Sequence, residues 1–210
     1  PLMDKNTFKV FDYVKNNPSD KLHLSITSNC APPKNQWQKF IDNLKDITDK
    51  DAIDHFMLFC SLDSWGEQAE YIRYGLDFDK MYTNITQYLR ESQKHSLTFI
   101  ITANLLSLPG WVEYIKNIHK LRCEFNTDRQ LIWFDTPMLH DPKWQSMKLA
   151  SKEMLQPLLD SIEFMEANRE TAHNRFKGFK DYEVDKVRRL YDWAAQPLNI
   201  QEEVMAKKNF

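Results

Sequence analysis

Three side chains that can contact a small ligand follow the apolar run 56–60. Ser61 supplies a hydroxyl, Asp63 a carboxylate and Arg73 a guanidinium. The run itself, bounded by polar residues, is typical of a strand that is buried on both faces, as in a parallel sheet. Parallel α/β proteins bind their ligands at the carboxyl ends of the strands. We therefore expect these three side chains at a ligand-binding edge.

Each of the four predicted strands ends in small polar residues. If the strands are parallel, these residues converge on one face of the fold and together line a ligand site. The same residue types also make turns and cap helices, so each of them alone has a purely structural alternative. The groups are Thr27-Ser28-Asn29, Ser61 with Asp63, Thr102 with Asn104, and Asp135-Thr136.

The elements that must position these residues alternate along the chain. Apolar patterns predict strands at 22–27, 56–62, 97–103 and 131–134, and helical spacing lies between them, beginning with a leading helix at 6–16. After about residue 138 the alternation stops, and 151–171 and 179–196 are predicted helices. We therefore predict an α/β fold: a partial parallel (β/α) barrel of about four strands over 1–137, with helices outside, then a helical extension over 138–210 that we interpret as truncated.

Composition excludes some functions and indicates a compartment. The 210 residues carry a net charge of −2, which provides no basic field for nucleic acid. No apolar stretch approaches the roughly 20 residues that span a bilayer. The three cysteines, Cys30, Cys60 and Cys123, are widely spaced, so no local CxxC or CxxxCxxC set can hold a metal, and a reducing, cytoplasmic setting is favoured. Cys60, inside an apolar strand, is interpreted as an ordinary core residue.

The segment from Ser61 to Gly75 resembles the fourth-strand region of radical S-adenosylmethionine (SAM) enzymes, in the branch with a twitch or SPASM-type auxiliary domain. The family pattern is Ser, Ile or Leu, Asp and Gly, then a spacer and His-Asp-x-Ile-Arg-Gly. Ser61-Leu62-Asp63 and Ile72-Arg73 match it, whereas Ala69-Glu70 replaces His-Asp and Gly75 falls one residue late. Phe78-Asp79 and Asn84-Ile85 fit the next run of the family pattern.

This resemblance implies a set of SAM contacts. Ser61 and Asp63 match positions that contact the ribose or carboxylate of SAM, and Arg73 matches an arginine that pairs with the carboxylate, a role suited to its bidentate fork. Asn29 and Asn104 match third-strand and fifth-strand positions. The family's G-x-I-x-G-x-x-E strand has no counterpart here, so adenine contacts are not assigned, and neither is any catalytic residue.

The resemblance also implies an iron–sulfur cofactor whose ligands this sequence lacks. Pro1-Leu2-Met3 is similar to the residues directly after the family's GGE or GGEP motif. We therefore expect the cysteines of the 4Fe-4S cluster, and that motif, in preceding sequence, and expect this chain to be inactive alone. The implied parent reaction is reductive cleavage of SAM to a 5′-deoxyadenosyl radical, which abstracts hydrogen from a substrate, often a peptide or protein in this branch.

Two other interpretations stay open. The chain is also consistent with a non-catalytic α/β module that holds a peptide partner at its strand ends or on its later helices. A third interpretation is an unrelated barrel enzyme that uses Asp63 or Asp135 as its acid–base group. A truncated barrel leaves the first predicted strand, 22–27, with an unpaired edge, so we expect a tendency to self-associate.

Overall fold

A computed structural model of the protein describes residues 1–92, 94–139 and 141–198. The chain divides into two compact units. The first unit contains Pro1–Ser61, Gly75–Phe99 and Leu131–Trp133. The second contains Leu62–Tyr74, Ile100–Gln130 and the described residues of 134–198.

The central element is a four-stranded parallel sheet. Its strands are β1 (Ser19–Ser28), β2 (Ile53–Ser61), β3 (Ser96–Ile100) and β4 (Ile132–Asp135). They lie in the order β1-β2-β3-β4, which is the sequential order of a (β/α) barrel and not that of a doubly wound sheet. The predicted α/β class with about four parallel strands is confirmed.

Helices alternate with the strands and then continue alone. Helix α1 (Lys5–Asn16) precedes β1, α2 (Lys34–Asp49) follows it, and α3 (Glu67–Ile72) and α4 (Phe78–Glu91) connect β2 to β3. Helix α5 (Trp111–Phe125) follows a 3-10 helix, Leu105–Gly110, and leads to β4. Helices α6 (Gln156–Ala167) and α7 (Asp181–Ala194) come after β4, together with the short 3-10 segments Lys143–Gln145 and Met147–Leu149.

Most helix boundaries lie close to the predicted ones, and the later helices are shorter. Asp77 caps α4 by accepting the backbone N–H of Lys80, as its position before the apolar stripe indicates. Helix α6 begins at Gln156 rather than 151 and ends at Ala167 rather than 171. Pro157 lies in its first turn, where a proline costs no hydrogen bond.

The prediction that β2 is buried on both faces is wrong. Phe56, Leu58 and Cys60 are fully buried, but Met57 and Phe59 between them are only half-buried. The continuous apolar run hides this alternation, because the residues on the less covered face are also large and apolar. One face of β2 therefore belongs to the core and the other is partly open.

The core of the first unit is aromatic. The ring of Phe40 lies 6.1 Å from Phe11, 5.8 Å from Phe56 and 6.4 Å from Tyr88, measured between centroids. Buried His95 completes this core: its Nδ1 accepts the backbone N–H of Phe56 at 3.1 Å, so the ring proton lies on Nε2. These contacts fix β2 against the helices that carry the aromatic residues.

The core of the second unit contains a buried ion pair. Arg122 of α5 binds Glu183 of α7 through both terminal nitrogens, at 3.0 and 2.6 Å, and both side chains are buried. Glu183 also accepts the backbone N–H of Lys180 at 3.0 Å, which caps α7. The Arg122 guanidinium lies 5.2 Å from the ring centroid of Phe179. This pair links helix α5 to the helices that follow β4.

Candidate functional site

Asp63 is held in place directly after β2. Its side chain is only 8% exposed. The Oδ1 atom accepts the backbone N–H of Thr102 at 2.9 Å, at the end of β3. Next to it, the Leu62 N–H donates to the Ile100 carbonyl at 3.1 Å, so the two chain segments stay paired up to this point. Asp63 is therefore a buried carboxylate that is fixed by the neighbouring strand end.

Arg73 is the partner of this carboxylate. It follows α3, and its Nε lies 2.8 Å from Asp63 Oδ2. The Nε–H is not aligned for a hydrogen bond, so the contact is an ion pair. Because Asp63 is met through Nε, the two terminal nitrogens are not used by this contact. The side chain is 31% exposed, so a ligand can reach it.

Asn104 has a structural function at the end of β3. Its Oδ1 accepts the backbone N–H groups of Leu106 at 2.9 Å and Ser107 at 3.2 Å, which caps the 3-10 helix. Its Nδ2 donates to the Thr102 carbonyl at 2.8 Å. These bonds use most of the hydrogen-bonding capacity of the Asn104 side-chain amide. Asn104 therefore shapes the loop and has little capacity to bind a ligand. The capping alternative for this polar strand end fits the geometry.

A close backbone approach fixes the turn that follows Asp63. A Cβ on Gly110 would lie 2.1 Å from Ser64 Oγ, so only glycine fits there without a shift. Ser64 is fully buried, and its hydroxyl has no hydrogen-bond partner among the described residues. The loop after β2 and the start of α5 therefore lie in contact next to the Asp63–Arg73 pair.

Asp135, at the end of β4, is also paired. Its Oδ1 contacts Nζ of Lys186 on α7. The sequence gives no sign of this partner, because the two residues are 51 positions apart and Lys186 lies in a mixed-charge helix. Asp63 and Asp135 are both paired with cations, which does not favour either as a free general acid or base.

Asn29 and Ser61 belong to the first unit. Asn29 is exposed and its Oδ1 accepts the backbone N–H of Ala31 at 3.2 Å. Ser61 is the half-buried last residue of β2. A cavity of about 440 Å³ lies beside Asn29, lined also by Ser28, by 31–33 and by the first residues of the chain.

The predicted site residues thus fall into two groups. In the second unit, Asp63 and Arg73 are in direct contact, and Asn104 joins them through Thr102. Asn29 and Ser61 lie in the first unit. The backbone N–H of Thr102 and the glycine at 110 were missed, because main-chain contacts leave no pattern in the side chains.

No group of three or more metal-binding side chains occurs among the described residues. Cys30 and Cys60 are buried, while Cys123 is exposed on α5. This part of the chain therefore provides no ligand set for a 4Fe-4S cluster. Within the same residues, no helix is both long and apolar enough to cross a membrane.

Comparison with protein-family models, with curated proteins and with solved structures finds no match to this chain.

Proposed function

We propose that this chain is part of a radical SAM enzyme and that its strand ends bind SAM. The proposal is supported by the pattern from Ser61 to Arg73 and by the sequential order of the parallel strands. It is also supported by the Asp63–Arg73 contact, which puts two residues of the pattern into one small site.

The Asp63–Arg73 pair is the observation that carries the proposal. A buried carboxylate that holds an arginine through Nε orients the guanidinium before any ligand arrives. The terminal nitrogens then suit a ligand carboxylate, which a guanidinium binds through two parallel hydrogen bonds. The amino-acid part of SAM provides such a carboxylate.

The proposal concerns ligand binding and does not extend to a reaction at the cluster. The described residues provide no ligand set for the 4Fe-4S cluster, so its cysteines would have to come from another segment. The class of substrate, a peptide or protein, is part of the same proposal and rests on the resemblance alone.

Calorimetric titration with S-adenosylhomocysteine, which keeps the amino-acid carboxylate, tests the proposal. We expect weak, saturable binding by the isolated chain. Arg73→Gln should weaken it about tenfold or more, the usual effect of losing a charge-assisted pair. Arg90→Gln, on helix α4, is the matched control and should bind like the wild type. No saturable heat at millimolar ligand would contradict the proposal.

A groove beside β1 favours a second candidate, a module that binds an extended peptide. The groove has a volume of about 400 Å³ and is lined by Val10 and Phe11 of α1 and by 24–27 of β1. A peptide that adds a strand here would gain main-chain hydrogen bonds and apolar contacts. Retention of a β-forming peptide by the wild type, and its loss in Leu24→Asp, would support this candidate over SAM binding.

A further inference from the structure

Two histidines lie opposite each other on the first two strands of the sheet. His23 of β1 and His55 of β2 are partners in the parallel register, so their side chains leave the same face of the sheet. The centroids of the two rings are 6.1 Å apart, and the ring planes cross at 63°. His23 is exposed and His55 is half-buried, so solvent reaches the pair. Strand register alone brings the two residues together, and no local sequence motif marks them.

Asp54 holds the His23 ring by one nitrogen. The carboxylate Oδ2 lies 2.8 Å from His23 Nε2, which donates its proton to it. In the neutral imidazole the proton is then on Nε2, so the lone pair of Nδ1 is left for another bond. Histidine metal ligands usually donate one ring N–H to a carboxylate in this way and present the other nitrogen to the ion.

The ring of His55 also packs against buried His95. The centroids of these two rings are 5.9 Å apart, in an edge-to-face arrangement. Both nitrogens of His95 have partners, because Nδ1 accepts the backbone N–H of Phe56 and Nε2 lies 2.7 Å from Thr48 Oγ1. His95 therefore supports the neighbouring ring and is not itself a candidate ligand.

We propose that His23 and His55 together bind one divalent transition-metal ion, such as Ni²⁺, Cu²⁺ or Zn²⁺. Imidazole nitrogens suit these ions. With a metal–nitrogen bond of about 2.0–2.1 Å, each ring centroid lies about 3.2 Å from the ion, so two rings on one ion have centroids less than about 6.4 Å apart. The 6.1 Å separation is within this limit. A tetrahedral angle at the ion needs about 5.2 Å, so the exposed His23 ring moves by about 1 Å to close on the ion.

Two protein nitrogens make an open site. No group of three metal-binding side chains occurs in the described part of the chain, so water completes the coordination. Asp54 is a positioning residue, because it contacts the His23 ring and not the ion. The bound ion links β1 to β2 and stabilises the folded chain. This inference does not depend on SAM binding.

Calorimetric titration with Ni²⁺ tests the site. The protein carries no affinity tag and contains Cys123→Ser, because the Cys123 sulfur lies 3.7 Å from His119 Nε2 and these two residues form a second pair of metal-binding groups. We expect saturable binding of one Ni²⁺ per chain. His23→Gln should weaken binding more than tenfold, and so should His55→Phe, which keeps an aromatic ring in the sheet. His173→Gln changes an exposed histidine of the second unit and should bind like the parent protein.

Chemical modification identifies the ligands in the parent protein, independently of how any variant folds. Diethyl pyrocarbonate modifies accessible histidine nitrogens, and mass spectrometry reports each histidine separately. Ni²⁺ should protect His23 and His55 and leave His173 unchanged. Asp54→Ala should weaken binding about tenfold and show the same protection at saturating Ni²⁺, because Asp54 acts through the His23 ring.

Three results would overturn the proposal. The first is the absence of saturable binding at millimolar Ni²⁺. The second is parental affinity in His23→Gln or His55→Phe. The third is Ni²⁺ protection that falls on other histidines and leaves these two reactive.

Discussion

At the scale of single residues, the loop after β2 depends on a contact that no side-chain pattern reveals. Gly110 has an ordinary backbone conformation, with a φ of −93°, so alanine is excluded by contact and not by the backbone. The atom in the way is Ser64 Oγ, which has no hydrogen-bond partner within the described part of the chain. Removing that atom should therefore restore the space.

We predict that Gly110→Ala destabilises the protein by about 1–3 kcal/mol, the usual cost of overpacking. Ser64→Ala should be nearly neutral, because it removes a hydroxyl that bonds to none of the described residues. In the double variant the new Cβ would lie 3.5 Å from the Ser64 Cβ, an ordinary contact, so most of the loss should be recovered. Urea unfolding of all four proteins measures this, and equal losses in the single and double variants would refute it.

His119 makes the stability of the protein depend on pH. Its pKa is lowered by burial and, to a smaller extent, by Arg122, and its ring stacks on Phe179. The unfolded chain therefore binds this proton more readily than the folded one, so stability falls as pH drops below about 6.5. We expect the urea midpoint to fall less between pH 7.5 and pH 5.5 in His119→Phe than in the wild type. The exposed His173→Phe is the control and should keep the full fall.

At the scale of elements, the sequence predicts the alternating part of the fold well. The strands repeat apolar residues and the helices bury one stripe each, so Phe8, Phe11 and Val14 of α1 are buried as their spacing indicates. The buried Arg122–Glu183 pair was not predicted, because the sequence alone does not distinguish a buried arginine or glutamate from an exposed one. For the candidate site, Asp63 and Arg73 were predicted to lie at the same edge. The hydrogen bond from the Thr102 N–H to Asp63 was not predicted, because it depends on strand register.

We predict that Glu183→Gln destabilises the protein by about 3–5 kcal/mol, because it leaves Arg122 buried beside a neutral partner. The double variant Arg122→Met with Glu183→Leu should lose less stability than a variant that carries only one of these two substitutions, since no charge is then buried alone. Arg188 and Glu166 form an exposed pair between α7 and α6 and provide the control. Glu166→Gln should change stability by less than about 1 kcal/mol. Equal effects at both pairs would show that burial does not decide the outcome.

At the scale of the whole molecule, β1 is the first strand in the sheet order. Among the described strands it pairs with β2, and the groove that β1 lines together with α1 is partly apolar. Asp20 and Lys21 lie at the start of β1, but its remaining residues, 22–28, contain neither proline nor a Lys, Asp or Glu, the residues that normally protect an edge.

We therefore predict that the isolated chain self-associates at high concentration. Ser25→Lys, on the exposed face of β1, should shift the population towards monomer, because lysine on an edge opposes strand pairing. Ala172→Lys adds the same charge at an exposed position in the second unit and should have no effect. Light scattering over a concentration series measures this, and a clean wild-type monomer at high concentration would count against it.

The most direct test of SAM recognition by Arg73 combines a change in the ligand with a change in the protein. S-adenosylhomocysteine has the amino-acid carboxylate and methylthioadenosine lacks it, so calorimetric affinities of both ligands for the wild type and for Arg73→Gln form a cycle. We predict that Arg73→Gln weakens the binding of S-adenosylhomocysteine by about tenfold or more. The affinity for methylthioadenosine should stay within about twofold of the wild-type value. Equal weakening of both ligands, or no binding of either, would contradict the assignment of Arg73 to the carboxylate of SAM.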